Sequence, residues 1–527
     1  MNKDYDMFTA SKRKHSANHG FDPLPLIAPL FDWQAHILRW AVTKGRAALF
    51  EDCGLGKTAQ QLEWASQVFR KTGGSVLILA PLAVGEQTRL EGVKFGIESK
   101  VVSDHSEING PGIYITNYEK IEHFHAEDFA GVVLDESSIL KSFTGKTRKL
   151  LTDAFKNTPY RLCCTATPSP NDYTELGQHA DFLGICTPAQ MLCTYFINDT
   201  FNTGDWRLKK HAEDEFWKWL ASWAACVSKP SDIGYPNDGY DLPALNMGSV
   251  VVNVDQTEDK NDDDLFRIAT LSATTMHKEM RLTAPARCEA VASMVNHSDE
   301  TWIVWCNTNT EADLLKKLIP DAVEVRGSDK PQVKRDRLAS FTSGSARVII
   351  TKPSIAGYGL NWQHCYNVAF VGLSYSFEDF YQALRRSYRF GQTKEVNAVV
   401  VQAETEGAIV KSIQRKIKQH ETMQKSMKKA AAELKTSESE TIDAKTDIDT
   451  YTGDGWNVHH GDCVRVAREK IADHSVGFSI FSPPFADLFT YSADPQDMGN
   501  CDDMAEFMKH FDYLIAEIKR VMIPGRE

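Results

Sequence analysis

Hydrophobic residues in this chain fall in short continuous runs. Helix-compatible stretches such as AQQLEWA lie between these runs. Four of these runs are AALF at 47–50, GVVL at 131–134, RVIIT at 347–351 and NVAFVGL at 367–373. Strands that are buried on both faces have this composition, because helices cover both sides of the parallel sheets that contain them. The pattern therefore predicts an α/β fold with mostly parallel sheets.

Polar, turn-rich segments divide the predicted elements into domains. SKPSDIGYPNDGYDLP and DQTEDKNDDD surround one short apolar strand, GSVVVNV, and predict exposed connections. Further on, SESETIDAKTDIDT has the composition of a linker. The predicted domains are an N-terminal tail at 1–28, a first lobe at 29–182, a helical insertion and interlobe connection at 183–285, a second lobe at 286–430, a linker at 431–450 and a C-terminal segment at 451–527.

The composition is typical of a soluble globular protein with several domains. Of the 527 residues, 42% are hydrophobic and 25% are charged. No apolar run is long enough to cross a bilayer, and the start MNKDYDMFTASKRKHS lacks a signal peptide's apolar segment, so we expect a cytoplasmic protein without a membrane partner. The 11 cysteines include no CxxC pair. We therefore expect reduced, mostly buried thiols and predict no structural metal.

The segment EDCGLGKT follows the apolar run AALF and has the strand, loop and helix order of a phosphate-binding loop. Gly54 and Gly56 would let backbone N–H groups approach phosphate oxygens. Lys57 would reach the β- and γ-phosphates of a nucleoside triphosphate, and Thr58 would ligate Mg²⁺. The strict pattern has glycine where Glu51 stands, so a glycine-rich surface turn is the alternative interpretation.

A second candidate site ends the apolar run of GVVLDESS. Two carboxylates, Asp135 and Glu136, leave the carboxyl end of this predicted strand, where the ligand crevice of an α/β sheet lies. Asp135 would hold Mg²⁺, and Glu136 would orient and deprotonate the attacking water. Together with the loop upstream, this pair predicts a site for nucleotide hydrolysis.

These segments and several others resemble, in order, the motifs of the superfamily-two helicases, in particular the Swi/Snf-type ATPase motors that translocate on double-stranded DNA. LFDWQAH resembles the adenine-reading segment, with Gln34 as the reader. LILAPLAV and ITNYEKI resemble the first DNA-contacting motifs, and CTATP resembles the coupling motif. WIVWCNTNTEADLL, ITKPSIAGYGLNWQ and YQALRRSYRFGQ resemble the fourth, fifth and sixth motifs.

The sixth motif is the most specific part of the resemblance. In the family it supplies arginine fingers that stabilise charge on the transferred phosphate, and by position these are Arg386 and Arg389. Gly359, in the fifth motif, is expected at the nucleotide site. The family tends to have an acidic residue where Arg385 stands, so we interpret Arg385 as a surface or DNA-facing cation.

Three other departures from the family pattern concern coupling. Ser137 and Ser138 follow the acidic pair where the family usually has alanine and histidine, and Tyr388 replaces the usual histidine between the fingers. We expect hydrolysis to be retained, and the departures bear on how it is coupled to DNA.

The resemblance implies two RecA-like lobes with ATP and Mg²⁺ between Lys57 and the two arginines, and duplex DNA as the track. Because the net charge is −12, DNA must meet a local basic surface. One candidate is KSIQRKIKQHETMQKSMKK at 411–429, where Ile409, Ile413 and Ile417 recur at helical spacing beneath a positive face. This helix either contacts DNA or is a solvated helix that braces the second lobe.

The C-terminal segment carries a different signal, NVHHGDC followed by the predicted strand VGFSIFSPPF. It resembles the start of an amino-methylating DNA methyltransferase, with a partial Rossmann-like fold, in which Ser482, Pro483, Pro484 and Phe485 would receive a flipped base. A strand followed by a proline turn is the alternative. No FxGxG loop for S-adenosylmethionine occurs in 451–527, so we expect that cofactor only with a missing downstream part, and no methyl transfer by this chain alone.

Three functions follow from these observations. The first is an ATP-dependent DNA translocase attached to a methyltransferase portion, as in restriction-modification or phage-encoded systems. The second is an ATP-gated DNA-binding clamp or scaffold without processive movement. The third is a DNA methyltransferase that the motor delivers, which needs a longer chain.

Overall fold

The computed structural model of the chain describes residues 2–12, 18–82, 84–141, 145–198, 206–254, 273–357, 359–437, 448–484, 496–499, 501 and 504–526. These residues divide into two compact units, one of residues 18–183 and 223–429 and another of residues 1–17, 184–222 and 430–527. None of the described helices combines the length and the apolar character needed to span a bilayer.

Strands and helices alternate over most of the described chain, as the apolar runs predict. The helices are α1 (Asn2–Lys12), α2 (Asp32–Lys44), α3 (Lys57–Thr72), α4 (Gly85–Phe95), α5 (Lys146–Ala154), α6 (Leu176–Leu183), α7 (Pro188–Tyr195), α8 (Glu213–Trp223), α9 (Ala273–Asn296), α10 (Asn309–Leu318), α11 (Pro331–Thr342), α12 (Pro353–Ala356), α13 (Phe377–Leu384), α14 (Gly407–Ser437), α15 (Cys463–Lys470) and α16 (Met504–Val521). The strands are β1 (Arg46–Glu51), β2 (Ser75–Ala80), β3 (Lys100–Val101), β4 (Ile113–Asn117), β5 (Phe129–Asp135), β6 (Tyr160–Cys164), β7 (Phe196–Asn198), β8 (Trp206–Leu208), β9 (Ala224–Val227), β10 (Leu245–Val252), β11 (Trp302–Trp305), β12 (Val323–Glu324), β13 (Val348–Thr351), β14 (Asn367–Val371), β15 (Val396–Ala403), β16 (Asp449–Gly453) and β17 (Trp456–His460).

The first lobe is built on a seven-stranded parallel sheet with the order β3-β4-β2-β5-β6-β1-β9. Its central strands are buried except for single half-buried residues in β1, β5 and β6, because helices such as α2 and α3 cover the sheet. β1 and β5 lie on either side of β6. Since parallel strands end at the same edge of a sheet, the loops that follow β1 and β5 are neighbours.

The second lobe contains a six-stranded parallel sheet with the order β10-β15-β14-β11-β13-β12. Its core includes the buried side chains of Trp305, Phe341 and Trp362. The strands predicted at 347–351 and 367–373 are β13 and β14. Two parallel sheets of this kind confirm the predicted α/β fold with two RecA-like lobes.

Both sheets take an edge strand from the region 183–285. β9 pairs in parallel with β1 of the first lobe, and β10 pairs in parallel with β15 of the second. β10 contains the apolar run GSVVV, so the short strand predicted there exists and extends the second sheet. Parts of the connection between the lobes therefore form edge strands of both sheets.

A buried ion cluster joins the helices and the strand ends of the second lobe. Arg287 of α9 is fully buried and lies 2.9 Å from a carboxylate oxygen of Glu311 and 3.1 Å from one of Glu406. It also donates a hydrogen bond to the carbonyl oxygen of Val371, at the end of β14. Because each charge is paired, the cluster fixes α9 and α10 against this edge of the sheet.

The other unit contains helices from both ends of the chain. Tyr5 and Phe8 of α1 share a small core with residues of α15 and α16. The hydroxyl of Tyr5 donates to Asp462 at 2.7 Å and lies 3.1 Å from Nε2 of His510. The region interpreted as an N-terminal tail thus includes a packed helix within this unit.

The strand predicted at 476–485 is wrong for its described part. Residues 477–484 lie outside any helix or strand, and Val476 makes only an isolated bridge to Met522. The large apolar side chains of Phe478 and Ile480 are 64% and 84% exposed. The apolar run lacks a neighbouring strand among the described residues, so its hydrophobic character does not produce a buried strand.

Candidate active site

The loop after β1 has the conformation that its glycines predict. Gly54 and Gly56 have φ angles of 88° and 80°, a left-handed region that residues with a Cβ atom rarely adopt. A Cβ atom on Gly56 would also lie 2.4 Å from Nε2 of Gln34. The backbone turns directly into α3, whose first residue is Lys57, and this is the geometry of a phosphate-binding loop at a helix N-terminus.

Lys57 lies across the mouth of this loop. Its Nζ donates to the carbonyl oxygens of Glu51 and Asp52, at 2.8 and 3.1 Å. Glu51, the departure from the strict pattern, is the last residue of β1 and is fully buried, and it accepts a hydrogen bond from Gln60 of α3. Burial raises the pKa of Glu51 to about 7, and the charge of Lys57 opposes that rise.

Gln34 supports the same loop from α2. Its Nε2 donates to the carbonyl oxygen of Leu55 at 2.8 Å, and its Oε1 accepts from the backbone N–H of Phe31 at 3.0 Å. The side chain is buried and lies against Gly56. The structure therefore brings Gln34 to the phosphate-binding loop, and the prediction that it reads adenine stays a prediction.

Asp135 ends β5 beside α3. Its Oδ1 accepts from Nε2 of Gln61 at 2.7 Å, and Gln61 is one helical turn after Thr58. Burial raises the pKa of Asp135, while the hydrogen bond from Gln61 and the charge of Lys57 lower it. A hydroxyl and a carboxylate beside the first turn of α3 are the oxygen ligands that Mg²⁺ prefers, so the donors fit this ion.

Glu136 follows with a φ angle of 57°, the left-handed conformation that non-glycine residues seldom adopt. This backbone turn directs the half-buried side chain to Thr165, whose Oγ1 donates to Oε2 of Glu136 at 3.2 Å. Burial raises the pKa of Glu136 to about 7. Nearby negative charges on Asp135 and Glu378 raise it further, while Lys57 lowers it. A carboxylate with this pKa is suited to general base chemistry near neutral pH.

The second lobe reaches this cleft through α13 and the residues that follow it. Arg386 donates to the carbonyl oxygens of Gln382 and Leu360, and its Nη2 lies 4.0 Å from Sγ of Cys53 in the phosphate-binding loop. Arg389 and Phe390 lie against Gly54, at which a Cβ atom would lie 3.4 Å from Cβ of Arg389 and 3.1 Å from the backbone nitrogen of Phe390. Lys57, Arg386 and Arg389 thus all adjoin the same loop.

Arg389 has an unused donor. Its Nη1 donates to Leu360, but its buried Nε finds no acceptor among the described residues. Burial lowers the pKa of Arg389 to about 10, and the neighbouring charge of Arg386 lowers it further. Two guanidinium groups and an ammonium group around one glycine-rich loop fit a polyphosphate, because buried cations of one sign need an anion.

Gly359, predicted at the nucleotide site, lies in the loop after α12 with a φ angle of 74°. A Cβ atom there would lie 3.1 Å from Val84 and 3.5 Å from Gln87, both at the start of the first lobe's α4. The neighbouring Leu360 supplies the carbonyl oxygen that binds both arginines. Gly359 therefore touches the first lobe at α4, and Leu360 connects its loop to the arginines.

The interpretation of Arg385 as a surface or DNA-facing cation is wrong. Only 7% of this side chain is exposed, and it forms an ion pair with Asp52, the second residue of the phosphate-binding segment. Its position in the sequence next to two other arginines resembles a solvated basic surface. The acidic partner lies more than 300 residues away in the chain, so the local sequence gives no sign of the pairing.

Gln382 is a site residue that the sequence analysis missed. Its Nε2 lies 3.4 Å from both carboxylate oxygens of Glu136, and its Oε1 accepts from Nη2 of Arg386 at 3.0 Å. Gln382 thus connects the candidate base of one lobe to a candidate arginine finger of the other. Its position four residues before Arg386, one helical turn away, is the signal that could have indicated this role.

The helix predicted at 411–429 is α14, and one of its faces braces the lobes. Lys416 donates to Asn171 of the first lobe and to the carbonyl oxygen of Tyr375 of the second, each at 2.7 Å. Lys428 lies 2.9 Å from Asp232. The opposite face contains the exposed basic residues Lys411, Arg415, Lys418 and Lys425. The bracing role is therefore observed, and DNA contact by the exposed face stays a prediction.

The methyltransferase-like residues do not form a recognisable site in the described chain. Ser482 is exposed, Pro483 and Pro484 are half-buried, and Phe485 lies outside the described residues. No described strand carries the tetrad. Its resemblance to a target-base site therefore rests on the sequence alone.

Metal-ligand side chains also meet away from the cleft. His105, His125 and Asp128 place one potential ligand atom each within 4.8 Å of one another on the first lobe. The two imidazole rings stack at 4.3 Å, and Nε2 of His105 lies 3.3 Å from Oδ2 of Asp128. All eleven cysteines are unbridged. The absence of a structural metal stays a prediction.

Comparison with protein families identifies the second lobe. Residues 286–391 match the family model of the Helicase conserved C-terminal domain. The matched region extends from α9 to Gly391 and includes β11, β13 and β14 as well as Arg386 and Arg389. It supports a helicase-type protein that uses ATP and Mg²⁺ and binds nucleic acid. A search of curated proteins finds no match to this chain.

Proposed function

We propose that this chain is an ATP-hydrolysing motor of the helicase type that moves along duplex DNA. One observation carries the proposal. Arg386 and Arg389, from the lobe that matches a helicase C-terminal domain, adjoin the phosphate-binding loop of the other lobe, beside Lys57. Hydrolysis in such an arrangement requires both lobes, because neither contains the complete set of charged groups.

The residues of the first lobe would bind the triphosphate. The N–H groups from Gly54 to Lys57 and the N-terminus of α3 would bind the phosphates, and Lys57 would exchange its two carbonyl partners for phosphate oxygens. Thr58 and Asp135 would hold Mg²⁺, which would neutralise charge on the β- and γ-phosphates. Gln34 holds the loop in shape through Leu55.

Glu136 would act as the general base that takes a proton from the attacking water. Its pKa of about 7 leaves a substantial fraction ionised at neutral pH and still favours proton uptake. Thr165 and Gln382 donate to its carboxylate and hold it in place. Arg386 and Arg389 would stabilise the negative charge that develops on the transferred phosphoryl group.

Movement would follow from the way the cleft is shared. ATP binding would favour contact between the lobes and hydrolysis would release it, so a track that both lobes hold would be gripped and released in turn. Duplex DNA as the track rests on the sequence resemblance, and contact with phosphates would make binding independent of sequence and sensitive to salt.

The test is the steady-state ATPase rate of the full chain with and without duplex DNA. We expect stimulation by DNA in the wild type, and a loss of turnover of at least about a hundredfold in Lys57→Ala and Glu136→Gln. The matched control is Lys334→Ala on α11, which removes a lysine of the second lobe whose Nζ donates to the carbonyl oxygen of Gly327. Displacement of a triplex-forming strand then reports translocation directly.

The outcomes separate the candidate functions. Turnover that DNA stimulates and both variants lose supports the motor. ATP-dependent DNA binding without turnover would support the clamp in its place. Turnover by Glu136→Gln equal to that of the wild type would contradict the assignment of the base, and methyl transfer by this chain would contradict the interpretation of its C-terminal segment.

A further inference from the structure

The carboxylate of Asp52 is one of the points at which the first lobe holds the second. Asp52 directly follows β1, and its Oδ1 accepts from the N–H of Cys53 at 2.6 Å and from the hydroxyl of Tyr381 at 2.5 Å. The same oxygen accepts from Nε of Arg385 at 3.1 Å, and Oδ2 pairs with Nη2 of that arginine. One carboxylate in the phosphate-binding segment thus binds two side chains of the other lobe.

The guanidinium group of Arg385 contacts two tyrosine rings and a backbone carbonyl oxygen in addition to Asp52. Its guanidinium group lies 5.5 Å from the ring centre of Tyr381 and 5.4 Å from that of Tyr388, and its Nη1 donates to the carbonyl oxygen of Tyr388. The paired side chains of Asp52 and Arg385 are each only 9% exposed. A buried ion pair with fork geometry and further hydrogen bonds has a fixed orientation, and removing one partner leaves an uncompensated charge.

The position of Arg385 in the chain gives this contact its consequence for catalysis. Arg385 is the C-cap residue of α13, directly after Leu384, and Arg386 is the next residue. Arg386 itself bonds to its own lobe, through the carbonyl oxygens of Gln382 and Leu360. Arg386 is therefore held in place by its own lobe. Arg385, the residue before it, attaches that lobe to the loop that would bind phosphate.

We propose that the Asp52–Arg385 ion pair is a positioning device that sets Arg386 and Arg389 against the triphosphate. Neither partner touches the reacting atoms in this proposal. The inference rests on the proposed function and adds a role for a residue at which this chain departs from the family pattern. An arginine at position 385 suits this chain because an aspartate is present at position 52.

A double-mutant cycle on turnover tests whether Arg385 acts through Arg386. The variants are Arg385→Met, Arg386→Met and the combination, with kcat, KM for ATP and the dissociation constant of a fluorescent ATP analogue measured for each. Loss of Arg386 should lower kcat by at least about a hundredfold, as for an arginine finger. Loss of Arg385 should lower kcat about tenfold to a hundredfold, with nucleotide affinity changed less than about threefold, because Lys57 is untouched.

The combined variant decides between positioning and an independent role. If Arg385 acts by placing Arg386, its removal costs less than about threefold once Arg386 is absent. Losses that multiply would overturn the proposal, as would full activity in Arg385→Met. Arg335→Met, the same change at an exposed position on α11, should leave kcat unchanged. Thermal melts identify any variant that fails to fold.

A second variant covers a failure of Arg385→Met to fold. Asp52→Asn removes the charge and keeps an acceptor for the N–H of Cys53 and for Tyr381, so we expect the same loss of kcat with a smaller effect on folding. Arg385→Lys keeps the charge without the fork, and its kcat should lie between those of the wild type and Arg385→Met.

Hydrogen exchange tests the ion pair separately from activity. In Arg385→Asp, the peptides that cover residues 52–56 of the first lobe and 377–385 of the second should exchange faster together, because two carboxylates would face each other. Faster exchange in the α13 peptide alone would overturn the proposal. If the wild type hydrolyses no ATP, the proposed function fails, whereas this measurement still decides whether the pair joins the lobes.

Discussion

The pH dependence of turnover depends on Glu136. Burial raises the pKa of this carboxyl to about 7, and the negative charge of Glu378 contributes to the rise. A general base must be ionised to act, so turnover should increase as pH rises through 7. At pH 6 about one tenth of the enzyme would have an ionised Glu136, and at pH 8 about nine tenths. We therefore expect kcat to rise about tenfold between these two pH values.

Glu378→Gln is the perturbation that isolates this group. Glutamine keeps one acceptor oxygen for Lys141, and its amide N–H group can donate to Oγ of Ser138. The change removes the negative charge that raises the pKa of Glu136. The midpoint of the kcat profile should move to lower pH. Turnover at pH 6, relative to that at pH 8, should therefore be higher in the variant than in the wild type.

The assay is kcat at saturating ATP and Mg²⁺ in half-unit steps from pH 5.5 to 8.5. The γ-phosphate of ATP also titrates in this range, but it is common to both enzymes, so the difference between the two profiles reports the protein group. Glu421→Gln, at an exposed position of α14, is the control and should give the wild-type profile. A flat wild-type profile, or a midpoint that moves upward in Glu378→Gln, would refute the reasoning.

Three further predictions concern stability and the C-terminal segment. The raised pKa of buried Glu51 means that the folded state binds a proton more tightly than the unfolded state, so the free energy of unfolding falls as pH rises from 4.5 to about 7. In denaturant unfolding, Glu51→Gln should therefore stabilise the protein at pH 8 by up to about 3 kcal/mol more than at pH 4.5. An equal effect at both pH values would contradict this prediction. Arg287→Met should lower the free energy of unfolding by about 3–5 kcal/mol because it leaves the buried carboxylates of Glu311 and Glu406 without their arginine partner. The control Arg335→Met should lower it by less than about 0.5 kcal/mol. A decrease below about 1 kcal/mol for Arg287→Met would contradict a stabilising role of the ion cluster. Titration calorimetry with S-adenosylmethionine should show no binding by this chain, and saturable heat would contradict that expectation.

The parts of the site that the sequence could predict depend on local chain geometry. The phosphate-binding loop requires glycines with positive φ between a buried strand and a helix, and Gly54 and Gly56 meet that need within a few residues. Asp135 likewise ends a run whose apolar composition identifies a buried strand. These features can be recognised in the sequence without knowledge of the tertiary fold.

The remaining features depend on contacts that the local pattern does not contain. Arg385 begins the charged and polar run RRSYR, yet a carboxylate on the other lobe makes it a buried residue. The converse holds at 476–484, where an apolar run remains exposed because the described chain supplies no strand beside it. Hydrophobic composition describes what a segment would bury, and the available partners decide whether it does.

The affinity for a transition-state analogue tests the central claim most directly, since the arginines of the second lobe should act on charge that develops during phosphoryl transfer. The measurement compares the dissociation constants of ADP and of ADP with aluminium fluoride for the wild type and Arg389→Met, with Mg²⁺ and duplex DNA present. The variant should bind ADP within about threefold of the wild type and the aluminium fluoride complex at least about a hundredfold more weakly. Equal affinity of both proteins for the aluminium fluoride complex would contradict a nucleotide site completed by both lobes.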